Sequence, residues 1–116
     1  ARRPLDSAGG RPRMTTEKQF QEQVIDIARS CHWLIHHDRG DYRQCIGGDA
    51  GFPDLVMARK GRVIFAELKS EKGKLTYHQE RWVEALEGRR AANPEVYVWR
   101  PAHLDKIANI LSPRYR

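Results

Sequence analysis

The feature that most constrains this chain is a stretch in which charged residues interrupt two short apolar segments. It begins with Gly-Phe-Pro-Asp at residues 51–54, turns at Lys-Gly (60–61) and ends with Glu-Leu-Lys at 67–69. Two acids and a lysine therefore stand where a globular protein normally carries apolar residues. Because a buried charge is costly unless it is paired or binds a metal, the stretch predicts either a structural ion pair or a metal-dependent active site.

The two apolar segments predict a β-hairpin with strands 54–59 and 62–69. A two-residue turn pairs residues whose numbers sum to about 121, which sets Asp54 opposite Glu67. Glu67 and Lys69 then share one face, roughly 7 Å apart along the strand. The hairpin is therefore expected to bring two carboxylates and an amine to one end of a β-ribbon.

A helix is predicted over residues 16–31 from apolar residues that recur every 3.6 positions: Phe20, Val24, Ile27, Ala28 and Cys31. Thr16 and Gln19 form a possible capping box at its start. Glu17 lies on the flank of the apolar stripe, whereas Glu22 faces away. Glu17 is thus the acid that this helix would contribute to a site; alternatively, it only complements the helix dipole.

The remaining segments complete an α/β pattern. A strand is expected at 33–37, and a long polar loop follows it from 38 to 50. Thr76 caps a second helix that is expected to run to about residue 92, and a fourth strand follows at 95–99. A last helix has Pro101 in its first turn and one apolar face: Leu104, Ile107, Ala108 and Leu111. The predicted order is αβββαβα, a mixed sheet flanked by helices.

The charge balance points to a polyanionic partner. The chain has 116 residues, with 21 Lys and Arg against 15 Asp and Glu, giving a net charge of +6. A small domain this basic favours nucleic acid as the partner. Residues 1–13, rich in Arg, Gly and Pro, are expected to be disordered, either as a basic arm that touches phosphate or as an expression remnant. Residues 14–116 are expected to form one domain.

The two cysteines, Cys31 and Cys45, form no CxxC motif, so neither a zinc site nor a disulfide framework is predicted. This fits a reducing, cytoplasmic location. No apolar run approaches the roughly 20 residues that cross a bilayer, and no signal-peptide core is visible, so no membrane partner is expected.

The clustered acids suit one kind of chemistry. Carboxylates that hold Mg²⁺ or Mn²⁺ leave open positions for water and a phosphate oxygen. A lysine beside them can orient the attacking water or hold a non-bridging oxygen. The alternative is a Glu67–Lys69 surface ion pair with Asp54 capping a turn, and spacing alone does not decide between the two.

Four features together carry a family resemblance: Glu17, the motif at 51–54, the motif at 67–69, and Gln79. They resemble the PD-(D/E)XK nuclease superfamily and, more closely, the small standalone VRR-NUC domain proteins of phages and bacteria. The resemblance covers nearly all of residues 14–111. It implies a restriction-endonuclease-like αβββαβ core with a mixed central sheet and an extra C-terminal helix.

The resemblance also implies roles for individual residues. Asp54, Glu67 and the Leu68 backbone carbonyl would hold Mg²⁺ or Mn²⁺, with Lys69 as the catalytic lysine. Glu17 would be the helix acid, acting on the metal directly or through water. Gln79 would be an active-site polar residue, although Thr76-x-x-Gln79 is also a capping box.

Candidate nucleic-acid contacts lie in three places. Arg39 and Arg43 are in the polar loop, and the resemblance adds His37 at the end of the first strand. The others precede or begin the second helix: Lys72, Lys74, Tyr77, His78 and Arg81. The alternative for this last group is a solvated charge run with Trp82 partly buried. Tyr97 and Trp99 are expected in the core.

The function that the resemblance implies is a Mg²⁺- or Mn²⁺-dependent DNA endonuclease, located in the host cytoplasm if phage-encoded. Standalone members of this size resemble homodimeric Holliday junction resolvases, so branched DNA is the expected partner. Cutting two symmetry-related strands needs two active sites, which a C2 dimer supplies. The alternatives are a flap or nicking nuclease of phage replication or restriction, and a non-catalytic nucleic-acid-binding module.

Overall fold

A computed structural model describes residues 15–37, 47–88 and 93–113. The predicted leader (1–13), Cys45, Arg39 and Arg43 lie outside the described residues. The elements are α1 (Glu17–Ser30), β1 (Leu34–His37), β2 (Leu55–Arg59), β3 (Arg62–Leu68), α2 (Tyr77–Glu87), β4 (Glu95–Trp99) and α3 (Leu104–Leu111), with a 3-10 turn at Pro101–His103. This confirms the predicted αβββαβα order.

The four described strands form one mixed sheet in the order β1-β2-β3-β4. The first three are antiparallel neighbours, while β3 and β4 are parallel and are connected through α2. In the hairpin, Leu55 pairs with Ala66 and Met57 with Ile64, so paired numbers sum to 121 as predicted. The start of β2 therefore meets the end of β3.

The hydrophobic core lies between one face of the sheet and the helices α1 and α3. The sheet contributes side chains that are 0% exposed, among them Leu55, Met57, Ile64 and Ala66. The helices contribute Phe20, Val24, Ala28, Ile107 and Leu111. Trp33 joins them through its indole N–H, which donates to the Leu111 carbonyl at 2.8 Å. Trp99 is buried and Tyr97 packs against this core, as expected.

The opposite face of the sheet is covered more lightly by α2. No residue of this helix is fully buried, and its inward-facing Val83 and Leu86 are half-buried. Trp82 is half-buried as well, packed edge-on against Phe52 with ring centroids 5.0 Å apart. The helix is thus held by a few aromatic and aliphatic contacts.

Both long helices begin with the capping boxes that the sequence predicts, at Thr16/Gln19 and Thr76/Gln79. The predicted end of α2 was wrong: the helix stops at Glu87, not near residue 92. Gly88 follows with φ +55° and ψ −167°, a conformation that is open essentially only to glycine and that ends the helix. Residues 89–92 lie outside the described part.

None of the helices in the described part is long and apolar enough to cross a membrane.

Candidate active site

Two carboxyl groups meet where β2 begins and β3 ends. Asp54 directly precedes β2, and its Oδ2 accepts a hydrogen bond from the Leu68 backbone N–H at 2.8 Å. Glu67 lies across from it and is only 2% exposed. The antiparallel register alone produces this approach, because Asp54 comes one residue before the Leu55–Ala66 pair.

Burial and mutual repulsion make both acids hold a proton more tightly. The pKa of Glu67 is raised from 4.5 to about 8, first because burial removes water from the carboxyl group and then because the Asp54 carboxyl lies beside it. Burial also raises the pKa of Asp54, although the Leu68 N–H opposes this by stabilising the carboxylate. At neutral pH in the absence of a cation, Glu67 therefore retains a proton that it shares in a hydrogen bond with Asp54.

Two further charged side chains act on this pair. Glu17, in the exposed first turn of α1, raises the pKa of both Asp54 and Glu67 through repulsion. Lys69, directly after β3, lowers the pKa of both through attraction. The helix acid and the lysine predicted from the sequence thus lie within electrostatic range of the two carboxyl groups. Glu22 has no such effect on either.

The pair fits a cation that needs few protein ligands. Within residues 15–37, 47–88 and 93–113, no three His, Cys, Asp or Glu side chains lie together as a metal site. A cage of side chains is therefore not formed, but Mg²⁺ is usually held by one or two carboxylates, with waters and substrate phosphates completing its shell. Two desolvated carboxyl groups that would repel each other once both are ionised are a donor set that such a cation would stabilise.

The loop that delivers Asp54 is docked on the start of α2. Gly51 has φ +94°, and a Cβ at this position would lie 2.5 Å from the His78 carbonyl carbon. Only glycine permits this close approach. Next to it, Phe52 packs edge-on against Trp82, whose indole N–H donates to the Asp49 carbonyl at 3.3 Å. The approach brings the Asp54 loop and the Gln79 segment together.

The side chain of Gln79 is part of the N-terminal cap of α2. Its side-chain oxygen accepts from the Thr76 N–H at 2.9 Å, and the Thr76 hydroxyl accepts from the Gln79 N–H at 3.1 Å. The carbonyl end of the amide is therefore committed to the helix cap. Its NH₂ group makes no hydrogen bond with the described residues and is the part that can donate to a ligand.

Arg100 fixes the loop between Lys69 and α2, and sequence reasoning missed it. Its guanidinium donates to the carbonyls of Ser70 at 2.6 Å and Gly73 at 2.7 Å, with Glu71 at 3.4 Å. Backbone N–H and carbonyl groups also join Lys69 to Trp99 at 2.9 Å. Because an arginine that binds main-chain carbonyls leaves no residue pattern, no signal in the sequence could have found it.

Six of the predicted nucleic-acid contacts fall in the described part of the chain. Five of them are exposed on the loop before α2 or on its first turns: Lys72, Lys74, Tyr77, His78 and Arg81. The Arg81 guanidinium lies over the Tyr77 ring at 5.9 Å. His37 pairs with Leu55, which puts it on the core face of the sheet, whereas the exposed His36 pairs with Val56 on the face that carries Phe65 and Glu67.

Comparisons with known proteins identify the family and the fold of this chain. The sequence profile of the VRR-NUC domain matches residues 11–100. A solved structure described as a "VRR_NUC domain protein" superposes with a TM-score of 0.58 at 21% identity, covering 85% of this chain and 87% of that one. At this identity the superposition shows a shared fold. A comparison with curated proteins found no match. The profile match covers most of the chain, which therefore belongs to the VRR-NUC family of nuclease domains.

Proposed function

We propose that this protein is a divalent-metal-dependent DNA endonuclease whose active site is built on Asp54, Glu67 and Lys69. The observation that carries the proposal is a pair of carboxyl groups at the end of a β-ribbon, one of them 2% exposed with its pKa raised to about 8. Strongly perturbed acids beside a cationic side chain are typical of catalytic sites.

The structural ion-pair alternative fits the geometry poorly. Glu67 and Lys69 form no salt bridge among the ion pairs of the described residues. Asp54 does not cap a turn but accepts from the Leu68 N–H across the ribbon. A fold that only needed stability would place apolar side chains here, since an acid this buried lowers stability when it ionises.

Each residue of the proposed active site has a separate role. Asp54 and Glu67 would hold Mg²⁺ or Mn²⁺ together with the Leu68 carbonyl, and the Leu68 N–H fixes the orientation of the Asp54 carboxylate. The ion would supply a polarised phosphoryl oxygen and a bound water of lowered pKa. Lys69 would orient the attacking water or donate to a non-bridging phosphate oxygen. Glu17 would act on the same ion through water, and the Gln79 NH₂ would donate to the substrate.

The substrate proposed for this site is DNA. Exposed Lys72, Lys74 and Arg81 supply phosphate contacts beside it, with Tyr77 and His78 between them. Arg39, Arg43 and His37 are proposed to extend this surface. Backbone contacts of this kind make affinity fall steeply with rising salt and carry little sequence information.

Within DNA, we propose a preference for branched substrates, cut by a homodimer in the manner of a Holliday junction resolvase. Two symmetry-related cuts in a four-way junction need two sites, and a C2 dimer of a single small domain supplies both. A cleavage assay on a four-way junction and on linear duplex of the same sequence tests this. If both are cut at equal rates, the preference is absent and a flap or nicking nuclease is the better description.

The nuclease function itself is tested by cleavage with Mg²⁺ or Mn²⁺ in wild type and Lys69→Ala, with Lys106→Ala as a matched control. Lys106 is exposed on α3. We expect cleavage by wild type and the control, and loss of cleavage with retained DNA binding in Lys69→Ala. A wild-type protein that binds DNA but never cuts with either ion would instead be a binding module.

A further inference from the structure

Exposed aromatic side chains are concentrated beside the candidate active site. Among the described residues, three large apolar side chains are exposed: Leu34 (77%), Phe52 (47%) and Tyr77 (69%). Phe52 comes two residues before Asp54, and Tyr77 comes two residues before Gln79. A single exposed apolar residue needs no explanation. Two aromatic rings on the two segments that build one site do need one.

These two segments are in contact, so both rings lie within reach of one DNA strand. A Cβ at Gly51 would lie 2.5 Å from the His78 carbonyl carbon, and Phe52 and Tyr77 are the chain neighbours of these two residues. Two Cα steps of about 3.8 Å, together with the bonds around this contact, leave the Cα atoms of Phe52 and Tyr77 at most about 13 Å apart. About four stacked nucleotides, at about 3.4 Å each, cover that distance.

The Phe52 ring is fixed by two other rings and is open to solvent on its remaining side. It packs edge-on against Phe65 and Trp82, with ring centroids 6.0 and 5.0 Å apart. Phe65 and Glu67 alternate onto the same face of β3, so the Phe52 ring stands on the face that carries the buried acid. Because neighbouring rings already hold it in place, this ring loses little conformational freedom when a base stacks on its open side.

The Tyr77 ring has cationic neighbours. The Arg81 guanidinium lies 5.9 Å from its centroid, and the His78 ring packs against it at 5.4 Å. Exposed Lys72 and Lys74 precede it in the chain. Aromatic rings that stack on bases, next to positive side chains that follow the phosphates, are the combination by which proteins bind unpaired strands. A base inside a duplex cannot use such a ring, because its two faces are already stacked on its neighbours.

We propose that Phe52 and Tyr77 stack on unpaired bases of a DNA strand beside the cleaved bond, and so favour DNA whose strands are separated at that point. The exposed cations Lys72, Lys74 and Arg81 neutralise the flanking phosphates. The stacking chemistry rests on the exposed rings and these cations alone. Its assignment to DNA and to the cleaved bond rests on the proposed nuclease function.

Replacing each ring by leucine tests the proposal. Phe52→Leu keeps an apolar side chain against Phe65 and Trp82, and Tyr77→Leu changes a residue that is mostly exposed. Binding is measured by fluorescence anisotropy in EDTA, so that no cleavage occurs, with a labelled single strand and a blunt duplex of equal length. Each variant should bind the single strand at least about fivefold more weakly and the duplex like wild type. Because an uncharged ring displaces no counterions, the log–log salt slope of single-strand binding should not change.

Leu34→Ala is the matched control, since it removes an exposed apolar side chain of β1 that pairs with Ala58 at the far end of the hairpin. It should bind both DNAs like wild type. Tyr77→Phe keeps the ring and should restore the single-strand affinity that Tyr77→Leu loses. Since Tyr77 is exposed, Tyr77→Leu should leave the melting temperature unchanged, and it tests the proposal even if Phe52→Leu does not fold.

Three results would overturn the proposal. The first is leucine variants that bind the single strand as tightly as Leu34→Ala does. The second is an equal loss of affinity for the single strand and the duplex, because unpaired bases are then not recognised. The third is a dimer that the leucine variants convert to a monomer with single-strand affinity unchanged, which places the rings between two copies of the chain.

The same measurements separate this proposal from the proposed function. Weaker single-strand binding by the leucine variants, together with a wild type that never cuts with Mg²⁺ or Mn²⁺, supports the stacking surface and refutes the nuclease. Efficient cleavage by wild type with unchanged single-strand binding in both variants does the reverse.

Discussion

Replacing Glu67 by glutamine should stabilise the metal-free protein at alkaline pH. Glutamine keeps the shape of the side chain and can still donate a hydrogen bond to Asp54, but it cannot ionise. The pKa of Glu67 is raised from 4.5 to about 8 in the folded protein. An acid with a raised pKa contributes full stability below its unfolded value and loses that stability as pH rises towards the folded value.

The size of the effect follows from the same shift. The gap between 4.5 and about 8, at about 1.4 kcal/mol per pH unit, caps the loss at about 5 kcal/mol. Asp54, whose pKa is also raised, acts in the same direction. We therefore expect wild type and Glu67→Gln to have similar unfolding free energies near pH 5, and the variant to be more stable by about 2–4 kcal/mol at pH 8.

Urea unfolding in EDTA at several pH values measures this difference. Glu22→Gln is the matched control, since Glu22 is exposed on α1, and it should follow wild type at every pH. Saturating Mn²⁺ should raise the stability of wild type at pH 8, by about 2.7 kcal/mol at one hundred times the dissociation constant, and leave Glu67→Gln unchanged. Parallel curves for wild type and Glu67→Gln from pH 5 to 8 would refute the buried-acid argument.

Four further outcomes follow. Mn²⁺ affinity, measured by calorimetry, should rise with pH up to about 8, because the ion must displace the Glu67 proton; a flat profile would contradict this. Lys69→Ala should lower the rate of single-turnover cleavage by at least about 100-fold, with DNA affinity by anisotropy near that of wild type. Gly51→Ala should lower the unfolding free energy by about 1–3 kcal/mol or more, since a Cβ there lies 2.5 Å from His78; unchanged urea midpoints would argue against the close approach. Arg100→Leu should speed proteolysis of the loop that holds Ser70 and Gly73, and equal digestion rates would show that the loop needs no clamp.

Local rules predicted most of the fold. The hairpin register followed from the two-residue turn and the alternation of side chains, and both capping boxes followed from their spacing. The end of α2 was misjudged because Arg and Ala, which follow at residues 89–92, are good helix formers. The sequence does carry a stop signal, Gly88, since glycine commonly ends a helix.

The candidate site was predictable only in part, for a physical reason. Asp54 and Glu67 approach through a hairpin, so sequence spacing fixes their distance. Arg100 binds carbonyl groups of residues that lie 27 and 30 positions earlier in the sequence. Gly51 contacts His78 only once α2 has packed against the loop. Contacts of this kind depend on the tertiary arrangement and leave no periodic trace in the sequence.

The central claim, that Asp54 and Glu67 bind a divalent cation for phosphodiester cleavage, is tested most directly by anomalous diffraction from crystals soaked in Mn²⁺. The account predicts a manganese peak between the two carboxylates, next to the Leu68 carbonyl, in wild type and its absence in Glu67→Gln. A wild-type crystal without a peak at this position, from protein that cleaves DNA with Mn²⁺, would contradict it.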